Sequence, residues 1–448
     1  MDIAEYILKE LKKKDVDDIV VNINKINASQ IKFSDNKIVK TGSEILVNLN
    51  IFIVKDKKIV ATSLKDYNTG EEKTISPSNL KQINKKNADQ VINNLIRFSK
   101  NVKPNKDYFG IAEGPFKYKE IKDSYDKKVL NINEIDLMNK GINAALENSS
   151  RTNGIIEKYL FENSLFTSNN VHANDKSTGL YFSIRAFKDK DASGHMNSCS
   201  KTLKKFDVYG AGKTAGEIAK SARNPIEGKS GKYDIVFSYM PMAALLNNIM
   251  NSASIFEVEA GLSFLGNKLN KKIGNFNLID HGNLNGGFNS IKYDEEGVPT
   301  QKNYIIKNGI LKTYLHNSST AKRHKTKTTA NAGLIVPRPS NIILEGKKGN
   351  VFDIKRGIYI TNVWYTRFQN HFTGDFSTIP RDGIFLIENG EITKPIKNIR
   401  VSDNFLNLMK NISLVSNTSK HLKSWEAETP VTTPEVLIKN INISKPKL

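Results

Sequence analysis

Seven histidines (His172, His195, His281, His316, His324, His371 and His421) and one cysteine (Cys199) are the side chains best suited to metal binding or nucleophilic chemistry. No two of the histidines lie within five residues of each other, so neither a paired-histidine helix nor a two-histidine finger can be written. A site assembled from the distant His281, His316 and His371 stays open, although turn or surface positions suit them better. Cys199 and His195 form no recognised nucleophile and base pair, which points to an ordinary thiol. A lone cysteine also excludes an internal disulfide. The run Gly210 to Glu217, GAGKTAGE, ends as a phosphate loop ends, but the required first glycine falls on Asp207. A plain helix start is the better reading.

A second chemical signal lies between Gly297 and Leu344, where there is no Asp or Glu but Lys302, Lys307, Lys312, Lys322, Arg323, Lys325, Lys327 and Arg338 all occur. Such a field attracts anions unless acids elsewhere in the fold neutralise it. The stretch opens at a turn, Glu296-Gly297-Val298-Pro299, and continues as YIIKNGILKTYL. There Asn308-Gly309 predicts a two-residue type I′ hairpin. Pro337-Arg338-Pro339 fixes an extended guanidinium.

In order, D-E-E-G-V-P-T, I-I-K-N-G-I-L-K-x-Y-L, T-A-K-R, A-N-A-G and P-R-P-S-N resemble the C-terminal region of the TldD/PmbA proteins, described as metallopeptidases and as modulators of DNA gyrase. One departure is Thr328-Thr329-Ala330-Asn331, where the family commonly has Ser-Thr-Gly-Asn. Competent members carry His-Glu-x-x-x-His on a helix after the first strand of the last domain. Here YDIVFSYM reads as that strand, and Asn247, Asn248 and Ser252 stand at the three motif positions. Amides and a hydroxyl bind zinc poorly, and an amide is no general base for water. Such members also supply a cysteine near the C-terminus, where this chain reads HLKSWEAETPVTTPEV. The resemblance therefore implies a PmbA-type or TldE-type member with no metal of its own, paired with a zinc-bearing TldD-type subunit. A homodimer is left open where that partner is missing. The implied substrate is an extended peptide, with His316, Asn317, Lys325, Arg338, Ser340 and Asn341 as candidates to hold it.

These residues must be positioned by an α+β fold: two similar helix-flanked antiparallel sheet units, then a β-rich C-terminal domain. Asp2 precedes Ile3, Ile7 and Leu11 at helical spacing, with Glu5 in the capping-box relation. A shift of 133 residues, without a gap, lays Phe33-Ser34-Asp35-Asn36 on Phe166-Thr167-Ser168-Asn169 and Lys55-Asp56-Lys57 on Lys188-Asp189-Lys190. We read residues 1–104 and 131–224 as duplicated α/β units joined by a linker over 105–130, and 225–448 as the C-terminal domain. A second Asn-Gly hairpin is expected at Asn389-Gly390. A helix is expected over VSDNFLNLMKNISLVS, capped by Ser402 and burying Phe405, Leu406 and Met409, and TPEVLIKNINI reads as a closing strand.

A chain of 448 residues with 38% hydrophobic content can build two or three cores. Its opening residues lack the order of a signal peptide, and no apolar run is long enough for a membrane helix. A cytoplasmic location without membrane contact is therefore expected. The net charge of +21 is spread over both halves. That spread argues against a nucleic-acid-binding tail, although a nucleic-acid-associated or gyrase-modulating role is the alternative reading.

Overall fold

The computed structural model describes residues 3–69 and 84–445. Helix α1 (Ile3–Lys12) buries Ala4, Ile7 and Leu11, the stripe its spacing predicts. It leads into β1 (Asp18–Ser34), β2 (Lys37–Lys55) and β3 (Lys58–Thr69). Helix α2 (Lys85–Asn101) then returns over the same face. It buries Ala88, Ile92 and Leu95, while Phe98, which helical spacing from Val91 and Leu95 would place on the buried side, is 57% exposed. The buried stripe is rotated because alanine lets the helix approach the sheet where phenylalanine cannot.

After α3 (Lys127–Leu130) the pattern repeats as α4 (Glu134–Leu146), β4 (Arg151–Thr167), β5 (His172–Phe187), β6 (Ser193–Ser200) and α5 (Val208–Ser221). Asp18 and Arg151 stand 133 positions apart, as do Ser34 and Thr167, so the repeat coincides with the ends of β1 and β4. The two units share one antiparallel sheet in the order β3-β2-β1-β4-β5-β6. At its centre Asn27 pairs with Leu160. These residues are also 133 apart, so a pseudo-twofold axis passes through that pair.

GAGKTAGE begins α5, as expected, with Asp207 capping it through Gly210 N at 2.7 Å. Its glycines serve packing. A methyl on Gly212 would stand 2.0 Å from the Gly141 carbonyl oxygen of α4, and one on Gly216 2.4 Å from that of Ala145.

The C-terminal region begins with β7 (Ile226–Glu227), β8 (Gly231–Phe237), α6 (Tyr239–Asn251) and α7 (Ile255–Glu259). It continues through β9 (Phe276–His281), β10 (Lys302–Lys307), β11 (Ile310–Leu311), α8 (Ser318–Arg323) and β12 (Ile342–Gly346). It closes with β13 (Arg356–Asn370), β14 (Asp375–Glu388), β15 (Glu391–Lys397), β16 (Arg400–Asn404), α9 (Phe405–Lys410), β17 (Ile412–Ser424) and β18 (Ala427–Ser444). These strands form a largely antiparallel 12-stranded sheet, with β18 between β12 and β8.

Both Asn-Gly pairs turn as expected: Asn308 and Gly309 have φ of 52° and 77°, Asn389 and Gly390 51° and 88°. The expected long helix from Ser402 is shorter. Asn404 caps a six-residue α9, and Phe405, Leu408 and Met409 are buried while Leu406 is half-buried. Helix α6 buries residues on every side because strands enclose it, and side chains such as Leu245, Leu246 and Ile249 each contribute about 1.5–3 kcal/mol. Among the described residues no helix is long and apolar enough to cross a membrane.

Gly212→Ala should destabilise the chain by about 1–3 kcal/mol despite alanine's helix preference of about 1 kcal/mol, because the α4–α5 crossing has no room for a methyl. Urea unfolding measures this, and an unchanged or raised midpoint would refute the close crossing.

Candidate functional site

Helix α6 carries the three positions singled out in the sequence, and each is engaged within the chain. Asn247, 4% exposed, donates through Nδ2 to the Thr429 carbonyl oxygen at 2.8 Å and accepts from Thr429 N at 3.1 Å. Asn248 Nδ2 donates to the Ala244 carbonyl oxygen, and Ser252 Oγ to that of Asn248, both at 2.9 Å. The C-terminal segment that lacks a cysteine thus lies against Asn247, although 182 residues separate the partners. This donor set does not suit zinc: two amides and a hydroxyl offer no imidazole, thiolate or carboxylate. Among the described residues, no three His, Cys, Asp or Glu side chains gather as a metal-binding group.

Beside this helix lies a cleft of about 590 Å³ between the six-stranded sheet and the C-terminal loops. Its floor includes Asn24, Asn163 and Asp175, which are neighbours across β1, β4 and β5. Its walls include Phe288, Asp294, Glu295, Asn331, Arg338 and Ser340, with Asn247 and Thr429 at one side. Lys201 also lines it, is 2% exposed, and donates to the Ser290 carbonyl oxygen at 2.6 Å. Burial lowers its ammonium to about 8, against the opposing pull of Asp175. Asp175 is itself raised by burial, which outweighs the nearby lysines.

Two buried carboxylates shape the wall. Asp294 accepts from Glu296 N, Val298 N and Ala332 N, each at 3.0 Å, and so ties the acidic turn to the 330–332 loop. Burial first, and then the adjacent Glu296, raise its pKa. Asp280 accepts from Asn331 Nδ2 at 2.7 Å and Ser340 N at 2.6 Å, and burial pushes it up to about 6.

A model of the PmbA/TldA metallopeptidase C-terminal domain matches residues 230–445. An uncharacterised protein of Methanocaldococcus jannaschii is 30% identical over 310 residues, covering 66% of this chain and 73% of that protein. The chain belongs to the TldD/PmbA family. A metalloprotease TldD homologue of Buchnera aphidicola is 32% identical over 36% of this chain and 35% of its own length. TldE from Thermococcus kodakarensis shares the fold with a TM-score of 0.83, at 19% identity, over 99% of this chain and 100% of that one.

On this TldD/PmbA fold, the six residues expected to hold peptide are not all brought together. Arg338 and Ser340 line the cleft. Asn341 is fully buried behind it, accepting from Asn289 N at 3.1 Å and donating to Ser290 Oγ at 3.1 Å. His316 is 3% exposed, beside Thr320 Oγ1 at 3.3 Å, and burial first, then His324, lowers it to about 4. Asn317 caps α8 through Thr320 N at 2.8 Å. Lys325 is exposed at a left-handed turn, φ 52°, and does not line the cleft. Asp175, Lys201 and Glu295 were missed. The available signal was the unbroken acidic triplet before the acid-free stretch, together with a charged residue on an otherwise buried strand face.

The remaining candidates are structural. Burial pushes the Cys199 thiol up to about 12, and His195 accepts or donates to Ser183 Oγ at 2.9 Å. His281, His316 and His371 form no common metal-binding group. Acids elsewhere partly neutralise the basic stretch: Lys322 meets Glu113 at 3.7 Å, Arg323 meets Glu259 at 2.5 Å, and Arg338 meets Glu295 at 3.4 Å.

His421 holds the cleft wall by accepting from Phe288 N at 3.0 Å, and burial lowers it to about 4. The folded chain keeps this imidazole neutral, whereas the unfolded chain protonates it below about 6.5. Stability should therefore fall as pH drops from 6.5 towards 4, by up to about 3 kcal/mol from this group. Urea midpoints at pH 7 and 4.5 should differ less in His421→Gln; an equal difference in both chains would remove His421 as the cause.

Proposed function

We propose that this chain is the PmbA/TldE-type subunit of a TldD-type metallopeptidase assembly. It carries no metal itself and contributes an extended-peptide cleft and an interface, while a TldD-type partner supplies zinc. The observation that carries the reading is the chemistry of α6, where Asn247, Asn248 and Ser252 replace the expected ligands and each is bonded within the chain. A cleft of about 590 Å³ beside that helix supports retained binding. Its size falls within the roughly 300–1,000 Å³ of small-ligand sites, and it lies between structural layers, where such sites concentrate. Within this reading, Arg338 and Ser340 face the peptide, and Asn341 holds the wall behind them. His316 and Asn317 support α8.

The nucleic-acid or gyrase-modulating alternative draws on the net charge of +21. The partly neutralised Lys322 and Arg323 and the brevity of α8, six residues, argue against a reading helix there.

The purified chain should contain substoichiometric zinc and leave unstructured peptides intact, and cleavage should appear on mixing with a TldD-type subunit. Arg338→Ala should lower turnover by the mixture about tenfold, without altering its zinc content. Elemental analysis with peptidase assays, with and without the partner, measures both. Stoichiometric zinc or chelator-sensitive cleavage by the chain alone would overturn the assignment.

A further inference from the structure

The basic stretch suggests an anionic ligand, but the hydrogen-bonding state of the cleft makes the opposite demand. Four of its lining residues carry a buried oxygen that receives no protein donor: Asn22 Oδ1, Asp175 Oδ2, Glu295 Oε2 and Asn331 Oδ1. Asp175 and Asn331 are 5% and 2% exposed. The Asn331 amide orientation is set by its partners, because Nδ2 faces an Asp280 carboxylate oxygen at 2.7 Å and the Arg338 carbonyl oxygen at 2.9 Å. Both are acceptors, so Oδ1 is the unpartnered end.

The charged donors of the cleft, and two of its backbone donors, are already engaged. Lys201 Nζ gives to the Ser290 carbonyl oxygen at 2.6 Å, and Arg338 Nη2 gives to Glu295 Oε1 at 3.4 Å. The backbone N–H groups of Ala332 and Ser340 are held by Asp294 and Asp280. An incoming carboxylate would have to break these bonds. An incoming cation would meet buried acceptors that have no partner and would relieve the cost of leaving them unsatisfied.

Three donors on an ammonium or five on a guanidinium match this set. A hard divalent ion matches it less well, since it takes about six to eight oxygens and only two carboxylates offer an unpartnered one here.

We propose that the cleft takes a protonated amine or guanidinium of the bound peptide, from its N-terminus or a basic side chain, on Asp175, Glu295 and Asn331. This specificity rests on the peptide-binding reading and adds to it a preference for positive charge.

The test uses the full chain and fluorescent peptides of one extended sequence that differ only in a central lysine or norleucine and in a free or acetylated N-terminus. A second probe is 1,5-diaminopentane against the uncharged 1,5-pentanediol, read as a thermal shift. The cationic peptide should bind at least about tenfold tighter than its neutral counterpart. The preference should vanish in Asp175→Asn and shrink in Glu295→Gln, with melting temperatures reported for both variants to establish folding. Whether acetylation or norleucine removes it tells the N-terminus from the side chain. Equal affinity for all peptides would overturn the cation site and leave the peptide reading standing. A diamine shift dependent on Asp175, with no peptide binding, would uphold the cation site and reject the peptide reading. Stabilisation by magnesium or calcium but not by diamine would overturn the proposal in favour of a metal site, and no response to any probe would overturn both readings.

Discussion

An antiparallel seam between β1 and β4, unbroken from Val20 paired with Thr167 to Phe33 paired with Gly154, joins two helix-backed units into one surface. The cleft has a continuous floor because this seam holds. Asn24 of the first unit and Asn163 of the second are direct partners across it, and Asp175 follows on β5. Strands this long have no tolerance for slippage. A one-residue shift would turn the polar row towards the helices and the apolar row into the cleft. The buried apolar face beneath α1 and α2, with Ile19, Val21, Leu49 and Ile51, therefore sets the register that places polar groups on the other side.

Facing that floor, the C-terminal loops are held by buried carboxylates more than by regular structure. Asp294 and Asp280 reach backbone N–H groups and an amide from segments some 40 to 60 positions away in the chain. Their burial raises the cost of ionisation, and the hydrogen bonds to the charged form offset part of it. The Arg185–Asp382 pair at 2.6 Å works similarly between β5 and β14. Burial alone would raise Asp382, but Arg185, His195, Ser193 and Asn362 together hold it below its usual range. Removing one member would leave a buried charge without a partner, which costs more than the pair itself is worth.

Much of the fold was legible because its signals are local. Two Asn-Gly pairs specify left-handed turns, the apolar alternation specifies strands, and the 133-residue offset carries over to the ends of β1 and β4. Errors arose where tertiary packing overrules local preference. Phe98 has the right spacing but the wrong volume for the α2 interface, and Asn404 outcompetes Ser402 because β16 continues through residue 404 before α9 can start. The cleft itself was harder to foresee. Asp175 and Lys201 sit on or beside strands of one unit, whereas Glu295 and Asn331 come from loops of another. No spacing rule links them, and the acids of the 294–296 turn read as turn composition until their burial is known.

The two-point contact between Asn247 and Thr429 also constrains what sequence change can reach. Asn247→His would release the N–H and C=O of a strand residue that has no alternative side chain among its bonds to α6. Asn248→Glu would set a carboxylate beside backbone oxygens that now accept an amide proton. Each single step towards a metal-ligating helix thus passes through a less stable chain before any ligand set is complete. The clasp therefore favours at position 247 a side chain that can donate to and accept from one backbone residue at once.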